Sequence, residues 1–520
     1  MPPPPALEPV PYLGTTVQAF VGRPASHDAL LRRAARRWPR RVALETPTAV
    51  LTYAELDAAV SSAARSVRQL AEEGQRVAVA MGHDAPLFTV PFVASRAGVT
   101  VLLLNTTLTP VGWADQLQRA DPVAVIADAA NLEGALTAAA AGGHRVVNAE
   151  EAWVLDGPGQ AFEEADPDQT LALIATSGTT GVPKMSRVTT GGLIHAAMAY
   201  AHLLGLDGDD RSYLCLPLHY IGPLSAQTTT MPLVGGTNVI PADTGPTGAT
   251  TRMAAAGITY VDAVPAWLGL LARADDVAVP TWRTLIYGGA PMPSDVAGTL
   301  ARRFPDLALW DVWGLSETHG PATALRYDPS APPMPGTVGR PLAGVEVRSD
   351  AGDRPGELLV RGANVTPGYA DDLELSKAIL GRGWLRTGDI GTTGPDGTVR
   401  LLDRAKDVIM RGGANVFSVE VEQVLEQHPD VVEAAVFGVP DGRGEEAVAA
   451  TVVLADGAIL DVMALRTLVD ERVGRHAVPR RITATDSLPR NPNGKIDKLL
   501  LRSRAVPPRR SPTETKASPR

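Results

Sequence analysis

An apolar, strand-like run leads directly into a loop that is rich in glycine and hydroxyl side chains. The stretch from 171 to 184 reads LALIATSGTTGVPK. Gly178 and Gly181 let backbone N–H groups converge on an anion, and Lys184 supplies a mobile positive charge. The stretch is not a Walker A loop, because two residues separate Gly181 from Lys184 where that motif has none. The pattern predicts a phosphate-binding loop, and the alternative is a solvent-exposed Ser/Thr/Gly turn.

Nine further stretches follow an order that is typical of one enzyme superfamily. They read LTYAEL (51–56), AGVTVLLLN (97–105), YGGAP (287–291), VWGLSETHG (312–320), GTVGRPLAGVEV (336–347), GELLVRG (356–362), WLRTGD (384–389), DRAKDVIMRGGANVFSVEVE (403–422) and LPRNPNGKIDK (488–498). Together with TSGTTGVPK (176–184), they make the chain resemble the adenylate-forming (AMP-binding) superfamily. That superfamily includes acyl- and aryl-CoA synthetases, peptide-synthetase adenylation domains and beetle luciferases.

The resemblance implies an enzyme that joins a carboxylate to the α-phosphate of ATP and expels pyrophosphate. Bringing two anions together requires cations, a metal ion and in-line geometry. The implied catalytic residues are Lys495, Glu317, Lys184 and Thr180, and the implied Mg²⁺ ligands are Glu317 and Thr180. Glu317 has a second interpretation, a carboxylate stabilised by a helix N-terminus. ATP or AMP contacts are implied for Thr176, Ser177, Gly178, Thr179, Gly181, Gly288, Gly289, Ala290, Asp311, Trp313, Gly314, Ser316, Asp389 and Arg404.

The nucleoside is expected to lie between an aromatic ring and a wall of small residues. Trp313 occupies the position that in the family lies against adenine, and 288–290 (GGA) would form the flat wall opposite. Packing in the core is the alternative for Trp313. Asp389, joined by Arg404, is implied to bind the ribose hydroxyls, and an exposed turn aspartate is the alternative.

The C-terminal motifs resemble a lid with two working positions. Lys495 matches the family lysine that reaches the acyl carboxylate and the α-phosphate, although a lysine near a C-terminus is often solvated and idle. Lys406 stands at the family's hinge position. Rotation about it would withdraw Lys495 and present the glycine-rich surface around Gly412 and Gly413 for entry of a thiol.

The acid pocket is expected around His219, Tyr220 and Gly222, with Gly289 nearby. Amino-acid adenylation domains carry an Asp in the segment that corresponds to 216–225, where it pairs with the substrate ammonium. This chain has none there, so we predict an acid without an α-amine, because an unpaired ammonium in a desolvated pocket is costly. Many acyl-CoA synthetases have an aromatic residue and then His, and here the order is reversed. The small residues leave room for an aryl, alicyclic or acyl group.

Short apolar runs alternate with helix-length segments over most of the chain. Runs such as those at 77–80, 123–127, 171–175, 260–264 and 284–287 favour α/β layers with a buried, mainly parallel sheet. From about 343 the strands become short and are spaced by Gly and Asp turns. We therefore predict an α/β fold whose large N-terminal region has two sheet-and-helix layers and a β-rich subdomain, followed by a small, mobile α+β domain.

Domain limits follow from these changes of pattern. The N-terminal adenylation domain is predicted at 13–403 and the C-terminal lid domain at 405–504, with the active site at their junction. Residues 419–428 are expected to form an amphipathic helix, followed by strands from 434 and from 449. Residues 1–12 are rich in Pro, and 507–520 mix Pro, Ser, Thr and charge, so we expect both ends to be disordered.

Composition excludes several classes of function. The 520 residues are 45% hydrophobic and 20% charged, as in ordinary globular proteins, and a net charge of -9 disfavours nucleic acid as a partner. Cys215 is the only cysteine, which excludes an intramolecular disulfide and a cysteine zinc site. The N-terminus lacks the pattern of a secretory signal, and the longest apolar stretch, 88–104, is interrupted by Arg96 and Gly98. We expect a cytoplasmic protein without a membrane span.

The resemblance as a whole implies an acid–CoA ligase that uses ATP, Mg²⁺ and CoA. The alternative is a stand-alone adenylating enzyme that loads the phosphopantetheine thiol of an acyl carrier protein, since both share the first half-reaction. A non-catalytic nucleotide-binding or scaffold protein is disfavoured, because Lys184, Glu317, Asp389 and Lys495 are all present. A luciferase-type oxygenase has no support in the residues.

Overall fold

The computed structural model describes residues 6–157, 169–176, 184–274, 277–411, 414–441, 446–490 and 495–505. The chain divides into two compact units. The first comprises 1–387 and 392–401, and the second comprises 388–391 and 402–520. The chain therefore passes between the units within two strands near 388 and 402, and each unit is described by itself below.

The N-terminal third alternates strands and helices. The elements in chain order are β1 (Leu7–Tyr12), β2 (Thr15–Phe20), α1 (His27–Arg37), β3 (Val42–Glu45), β4 (Val50–Thr52), α2 (Tyr53–Arg68), β5 (Arg76–Ala80), α3 (Ala85–Ala97), β6 (Thr100–Leu103), α4 (Pro110–Ala120), β7 (Ala124–Ala127), α5 (Leu132–Ala140), β8 (Val146–Asn148) and α6 (Ala149–Ala152). The start of α2 is a capping box. The Thr52 N–H donates to the Glu55 carboxylate at 2.8 Å, and the Glu55 N–H donates to the Thr52 hydroxyl at 3.3 Å.

The same alternation continues to residue 274. The elements are β9 (Thr170–Thr176), β10 (Lys184–Thr189), α7 (Thr190–Leu204), β11 (Arg211–Tyr213), α8 (Ile221–Pro223), a π-helical turn (Leu224–Thr229), α9 (Thr230–Val234), β12 (Thr237–Val239), α10 (Ala249–Ala255), β13 (Tyr260–Ala263) and α11 (Pro265–Arg273). The π-helical turn leads from the predicted acid-pocket segment into the core, where its residues are buried.

Strands predominate in the next part of the chain. The elements are β14 (Thr284–Gly288), α12 (Ser294–Arg303), β15 (Ala308–Leu315), a 3₁₀ turn (Ser316–Thr318), β16 (Gly320–Arg326), β17 (Thr337–Pro341), β18 (Val345–Ser349), β19 (Gly356–Gly362), α13 (Leu373–Ile379), β20 (Leu380–Gly381), β21 (Trp384–Thr393) and β22 (Val399–Arg404).

The first sheet has the strand order β10-β9-β6-β5-β7-β8 and is parallel except for the pair β9–β10. Its strands are buried on both faces. On β5, Val77 and Val79 pack into one cluster, while Ala78 and Ala80 pack into the other. A parallel sheet that is covered by helices on both sides needs such continuous apolar runs, which is why these strands were recognisable in the sequence.

The second sheet joins a parallel part to an antiparallel part. Strands β12, β11, β13, β14 and β15 run parallel, and β15 then pairs antiparallel with β16. The order continues through β17, β22, β21, β19 and β18 at one end and through β3 and β4 at the other. The predicted β-rich subdomain is thus a continuation of the second sheet.

The second unit contains a compact α+β core. Its elements after β22 are β23 (Ile409–Arg411), β24 (Ala414–Val416), α14 (Ser418–Leu425), β25 (Val431–Pro440), β26 (Glu446–Leu454), α15 (Val462–Arg472), β27 (Arg481–Ala484) and α16 (Lys498–Ala505). Strand β26 pairs antiparallel with β25 and parallel with β27. The apolar residues of α14 and α15 pack against this sheet. Within the described ranges, no helix is long and apolar enough to cross a membrane.

Candidate active site

The predicted phosphate loop connects two paired strands. Strand β9 ends at Thr176 and β10 begins at Lys184, and these two residues face each other across the pair. The Thr176 hydroxyl donates to the Lys184 carbonyl oxygen at 3.3 Å. The intervening loop residues, among them Ser177, Gly178, Thr179, Thr180 and Gly181, lie outside the described residues.

Tyr369 connects the predicted cation with the predicted metal ligand. The Lys184 ammonium nitrogen lies 5.5 Å from the centroid of the Tyr369 ring, over its face. The Tyr369 hydroxyl donates to Glu317 Oε1 at 2.7 Å. Burial and the neighbouring Glu317 charge hold the pKa of Tyr369 well above its ordinary value, so the hydroxyl keeps its proton. Sequence analysis missed this tyrosine, although it closely follows GELLVRG.

Two other chain segments fix the Glu317 turn. The Thr366 N–H donates to the Glu317 carbonyl oxygen at 2.7 Å. His319, in the left-handed region at φ 52°, bonds through Nδ1 to the Asn364 carbonyl at 2.7 Å, and its Nε2 accepts from the Thr189 N–H at 2.7 Å. Burial lowers the pKa of His319 to about 4, so the imidazole is neutral and can fill both roles.

The donor set at Glu317 fits a magnesium ion that is bound mainly by phosphate oxygens. No group of three or more His, Cys, Asp or Glu side chains forms a metal cluster in the described part of the chain. Glu317 Oε1 is held by Tyr369, and no described residue bonds Oε2. Mg²⁺ in nucleotide sites typically takes one or two carboxylates together with substrate phosphates and water. Thr180, the other predicted ligand, lies outside the described residues.

The predicted nucleoside residues lie at the ends of two neighbouring strands. Gly288 ends β14, and a Cβ there would collide with the Val312 carbonyl oxygen of β15. Gly289 has a φ of 80°, and Gly314 passes so close to the Gly320 carbonyl that a side chain would not fit. These contacts explain the small residues of both motifs by backbone geometry.

Trp313 and Asp311 stand on β15 beside this wall. Trp313 is 7% exposed and packs in an apolar cluster with residues such as Val338 and Leu358. Core packing is therefore a role that Trp313 has in the structure, and its contact with adenine stays a prediction. Burial raises the pKa of Asp311 to about 7, so this carboxyl would titrate near neutral pH.

The second unit carries the remaining predicted residues. Arg404 Nε lies 2.6 Å from Asp389 Oδ1, and the Asp389 side chain is buried while that of Arg404 is partly exposed. Lys406 and Lys495 are both exposed. Gly412 and Gly413 lie outside the described residues. The predicted pair of Asp389 and Arg404 is thus in contact, which a ribose-binding role requires.

The predicted acid-pocket residues surround the start of α8. His219 is 5% exposed, and its ring lies 4.4 Å from that of Tyr220 between centroids. Burial, with a contribution from His83, lowers the pKa of His219 to about 4, so the ring is neutral. A carboxylate does lie here, although not in the segment 216–225. A Cβ added at Gly222 would lie 3.2 Å from Asp262 Oδ2, on the neighbouring strand β13.

Comparison with known families decides the identity of this arrangement. A model described as "AMP-binding enzyme" matches residues 31–370, and one described as "AMP-binding enzyme C-terminal domain" matches residues 420–495. The chain belongs to the AMP-binding enzyme family. Its predicted membership of the adenylate-forming superfamily is therefore confirmed.

Similar proteins of this family match along nearly the whole chain. The 2-succinylbenzoate–CoA ligase of Geobacillus kaustophilus is 32% identical over 481 residues, which cover 90% of this chain and 96% of the relative. The ligase of the same name from Bacillus cereus is 30% identical over 485 residues, covering 89% and 95%. This AMP-binding enzyme is a ligase, as predicted from the sequence.

Solved structures agree with the fold. An amide bond synthetase from Marinactinospora thermotolerans superposes with a TM-score of 0.82 and 29% identity, covering 92% of this chain and 99% of that one. An O-succinylbenzoate coenzyme A synthetase from Bacillus subtilis, in complex with ATP and magnesium, gives 0.80 and 27%, covering 91% and 98%. The predicted fold class is confirmed, while the roles of single residues stay predictions.

Proposed function

We propose that this AMP-binding enzyme activates an aromatic carboxylic acid with ATP and transfers the acyl group to CoA. The observation that carries the proposal is the arrangement around Tyr369, whose ring receives Lys184 and whose hydroxyl holds Glu317. A cation and a metal-binding carboxylate are thus fixed on one side chain beside the predicted phosphate loop. Adenylation needs both, because a carboxylate must attack a negatively charged phosphate.

Each polar residue has a distinct task in this proposal. Lys184 neutralises phosphate charge, and Glu317 would hold Mg²⁺, which when bound neutralises further charge on the phosphate oxygens. Asp389, held by Arg404, accepts from the ribose hydroxyls. Lys495 reaches the acid carboxylate and the α-phosphate. Pyrophosphate then leaves, and the thiol of CoA attacks the acyl-adenylate carbonyl to give the thioester and AMP.

The relatives support an aromatic acid as substrate. Two similar proteins are named 2-succinylbenzoate–CoA ligases, and a similar solved structure is an O-succinylbenzoate coenzyme A synthetase. The small side chains of Gly222, Gly288, Gly289 and Ala290, which would form the pocket walls, favour a substrate with a ring. We propose that the reaction takes place in the cytoplasm, where ATP and CoA are available.

The alternatives to this proposal differ in the group that accepts the acyl chain from the adenylate. A carrier-protein phosphopantetheine presents the same thiol as CoA, and the similar amide bond synthetase is named for an amide product. CoA is favoured because the two relatives that are 32% and 30% identical are named as CoA ligases, whereas the amide bond synthetase is 29% identical. The reversed order of His219 and Tyr220 gives no independent choice among the three acceptors.

The proposal is tested in two steps with purified full-length protein. The first step measures carboxylate-dependent ATP–pyrophosphate exchange across aromatic, alicyclic, aliphatic and amino acids, including 2-succinylbenzoate. Lys495→Ala should lower exchange by at least about a hundredfold, because it removes a charge that acts on the transition state. Lys377→Ala is the matched control, since Lys377 lies on α13, is exposed and, within the described ranges, pairs with Glu374 alone.

The second step offers CoA, a holo-carrier protein and a primary amine to the enzyme with its best acid. Formation of the CoA thioester fastest of the three is the expected result. Exchange with α-amino acids alone would contradict the proposed substrate class, and exchange that Lys495→Ala leaves intact would contradict the proposed role of Lys495. No exchange with any acid would contradict the proposed adenylation. Fast exchange with transfer only to the carrier protein or the amine would keep adenylation and replace the acceptor.

A further inference from the structure

Asp262 is a buried carboxyl group that the described part of the protein leaves without a side-chain hydrogen bond. Its residue is 6% exposed on β13, in the middle of the second sheet. Only its backbone carbonyl is engaged by a side chain, that of Cys215, whose thiol donates to it at 3.3 Å. Burying a polar group without a hydrogen-bond partner carries a free-energy cost. A partner from outside the chain would offset this cost.

None of the described residues supplies a positive charge that acts on Asp262. The side chains that sense its charge are Tyr200, Tyr260 and Cys215, and burial alone raises its pKa to about 8. The Tyr260 hydroxyl donates elsewhere, to the Ala226 carbonyl at 3.0 Å. The Tyr200 hydroxyl has no hydrogen-bond partner among the described residues. Asp262 and Tyr200 are thus two polar groups in one apolar region, each able to bond a further group.

The carboxyl group lies at the edge of the predicted acid pocket. Its Oδ2 would be 3.2 Å from a Cβ at Gly222, so it touches the place that a side chain at 222 would occupy. Asp262 pairs in register with Ile286, two residues before Gly288, which ends the strand. At about 3.3 Å per residue, the carboxyl lies roughly 7 Å deeper along the sheet than the glycine wall at the predicted nucleotide position. This depth corresponds to the end of the acid that is remote from its reacting carboxylate.

We propose that Asp262 determines specificity by accepting a hydrogen bond from a hydroxyl or amino group at the remote end of the acid substrate. The inference rests on the proposed function and narrows its substrate class. A donor satisfies the buried oxygens, whereas a methyl group leaves them unpaired. A carboxylate at the same place would bring two acidic groups together, which opposes the ionisation of both. The α-amine excluded by sequence analysis is a different group, adjacent to the reacting carboxylate.

The experiment uses aromatic acids that differ in one remote substituent. Hydroxyl, amino, methyl and carboxyl members of one series are compared by kcat/KM in ATP–pyrophosphate exchange. The wild type should prefer the hydroxyl or amino acid over its methyl analogue by at least about tenfold, since sites that bond a polar group strongly reject the analogue without it. Asp262→Leu should bring this ratio to about one, and Asp262→Asn should keep part of it because the amide oxygen still accepts.

Matched variants separate specificity from a general effect on β13. Val261→Ala changes the neighbouring residue, which packs on the opposite face of the strand, and should leave the ratio unchanged. If the wild type shows equal kcat/KM for the hydroxyl or amino acid and for its methyl analogue, the proposal is overturned before any variant is measured. An unchanged ratio in Asp262→Leu would overturn it as well. If Asp262→Leu does not fold, Asp262→Asn provides the test. We expect Asp262→Asn to lose part of the preference for the donor acid, and full retention of that preference would contradict the proposal.

The exchange assay distinguishes failure of the role proposed for Asp262 from failure of the proposed function. Equal exchange with every member of the series would leave adenylation intact and remove only the role of Asp262. Absence of exchange with any acid, despite ATP binding, would contradict the adenylation on which both proposals depend.

Discussion

At the scale of single residues, the site depends on one contact between distant parts of the sequence. Tyr369 and Glu317 are 52 positions apart, and their hydrogen bond fixes which carboxylate oxygen remains available for a metal ion. The same ring faces Lys184. In the proposed mechanism Tyr369 is therefore a positioning residue, because it contacts both Lys184 and Glu317.

Removal of the Tyr369 hydroxyl should weaken metal-dependent adenylation. Tyr369→Phe keeps the ring that faces Lys184 but frees Glu317 Oε1. Since a hydrogen bond to a charged group contributes about 1.5–3 kcal/mol, we expect kcat for exchange to fall about tenfold to a hundredfold, with a rise in the Mg²⁺ concentration for half-maximal rate. A merely structural tyrosine would not shift the Mg²⁺ dependence.

The control for this measurement is Tyr327→Phe, because the Tyr327 hydroxyl has no hydrogen-bond partner among the described residues. It should leave both kcat and the Mg²⁺ dependence unchanged. A Tyr369→Phe enzyme with an unaltered Mg²⁺ dependence would show that Glu317 does not need this bond.

Sequence alone predicted the individual motif residues better than their partners. Lys184, Glu317 and Asp389 each lie in a short sequence motif from which they could be predicted. Gly314 likewise indicates a position where the backbone leaves no room for a side chain. Asp262 could not be found in this way, because its importance comes from the pairing of β13 with the strands beside it. No local pattern encodes which side chain of one strand reaches the pocket of another.

At the scale of elements, apolar runs predicted the central strands because those strands are buried on both faces. The alternating clusters on β5 show this directly. The change from parallel to antiparallel pairing at β15–β16 could not be predicted from the sequence. It depends on where the chain reverses direction, and the apolar pattern does not encode this. The sequence therefore indicated a separate β-rich subdomain where the structure has one continuous sheet.

An ion pair holds α16 to α14 within the second unit. Lys498 Nζ lies 2.7 Å from Glu422 Oε1 and donates to the Ser418 hydroxyl at 2.7 Å, and both charged side chains are largely buried. Glu422 Oε1 also accepts from the Val436 N–H at 2.7 Å, which ties the pair to β25. Lys498, three positions after Lys495, thus links α16 to α14 and, through Glu422, to β25, in addition to the packing of Leu501 in an apolar cluster with Phe437.

Loss of the Lys498 charge should destabilise the second unit. Lys498→Met leaves Glu422 buried without its cation, which typically costs about 3–5 kcal/mol. We expect faster hydrogen exchange in peptides that cover 418–425 and 498–505. Tryptophan fluorescence should change little, because all eight tryptophans lie between 38 and 384, in the first unit.

Two further variants test this explanation. Lys377→Met, in the first unit, should leave the exchange of these peptides unchanged. Lys498→Met combined with Glu422→Leu should recover part of the lost protection, since the buried Glu422 charge is then removed while Asp403, which also interacts with Lys498, remains. Equal destabilisation in the single and the double variant would mean that packing of the lysine stem, rather than charge, holds the helix.

At the scale of the whole molecule, the chemistry has two halves that place different demands on the chain. In the proposed mechanism, adenylation needs Lys495 at the reacting groups, whereas thioester formation needs an open path for the thiol. We propose that the predicted domains, 13–403 and 405–504, rotate about Lys406 between these steps. The chain enters the second compact unit at Leu402, four positions before Lys406. This short separation supports a hinge at Lys406.

Substitution of Lys406 tests the rotation directly. Lys406 is exposed in a turn, and its N–H has no acceptor among the described residues, so proline removes no hydrogen bond. Proline does restrict φ at 406 and the conformation of Ala405. We expect Lys406→Pro to keep ATP–pyrophosphate exchange within about twofold, while overall thioester formation falls at least about tenfold because the second position is harder to reach.

Lys406→Ala is the matched control, because it removes the same side chain and leaves the backbone free to rotate. It should preserve both half-reactions. Single-turnover transfer from preformed acyl-adenylate to CoA should be slow in the proline variant alone, which locates the defect after adenylation. Equal loss of exchange and of thioester formation would instead mean that Lys406→Pro disturbs one shared site, and the hinge would then have to be sought elsewhere in the chain.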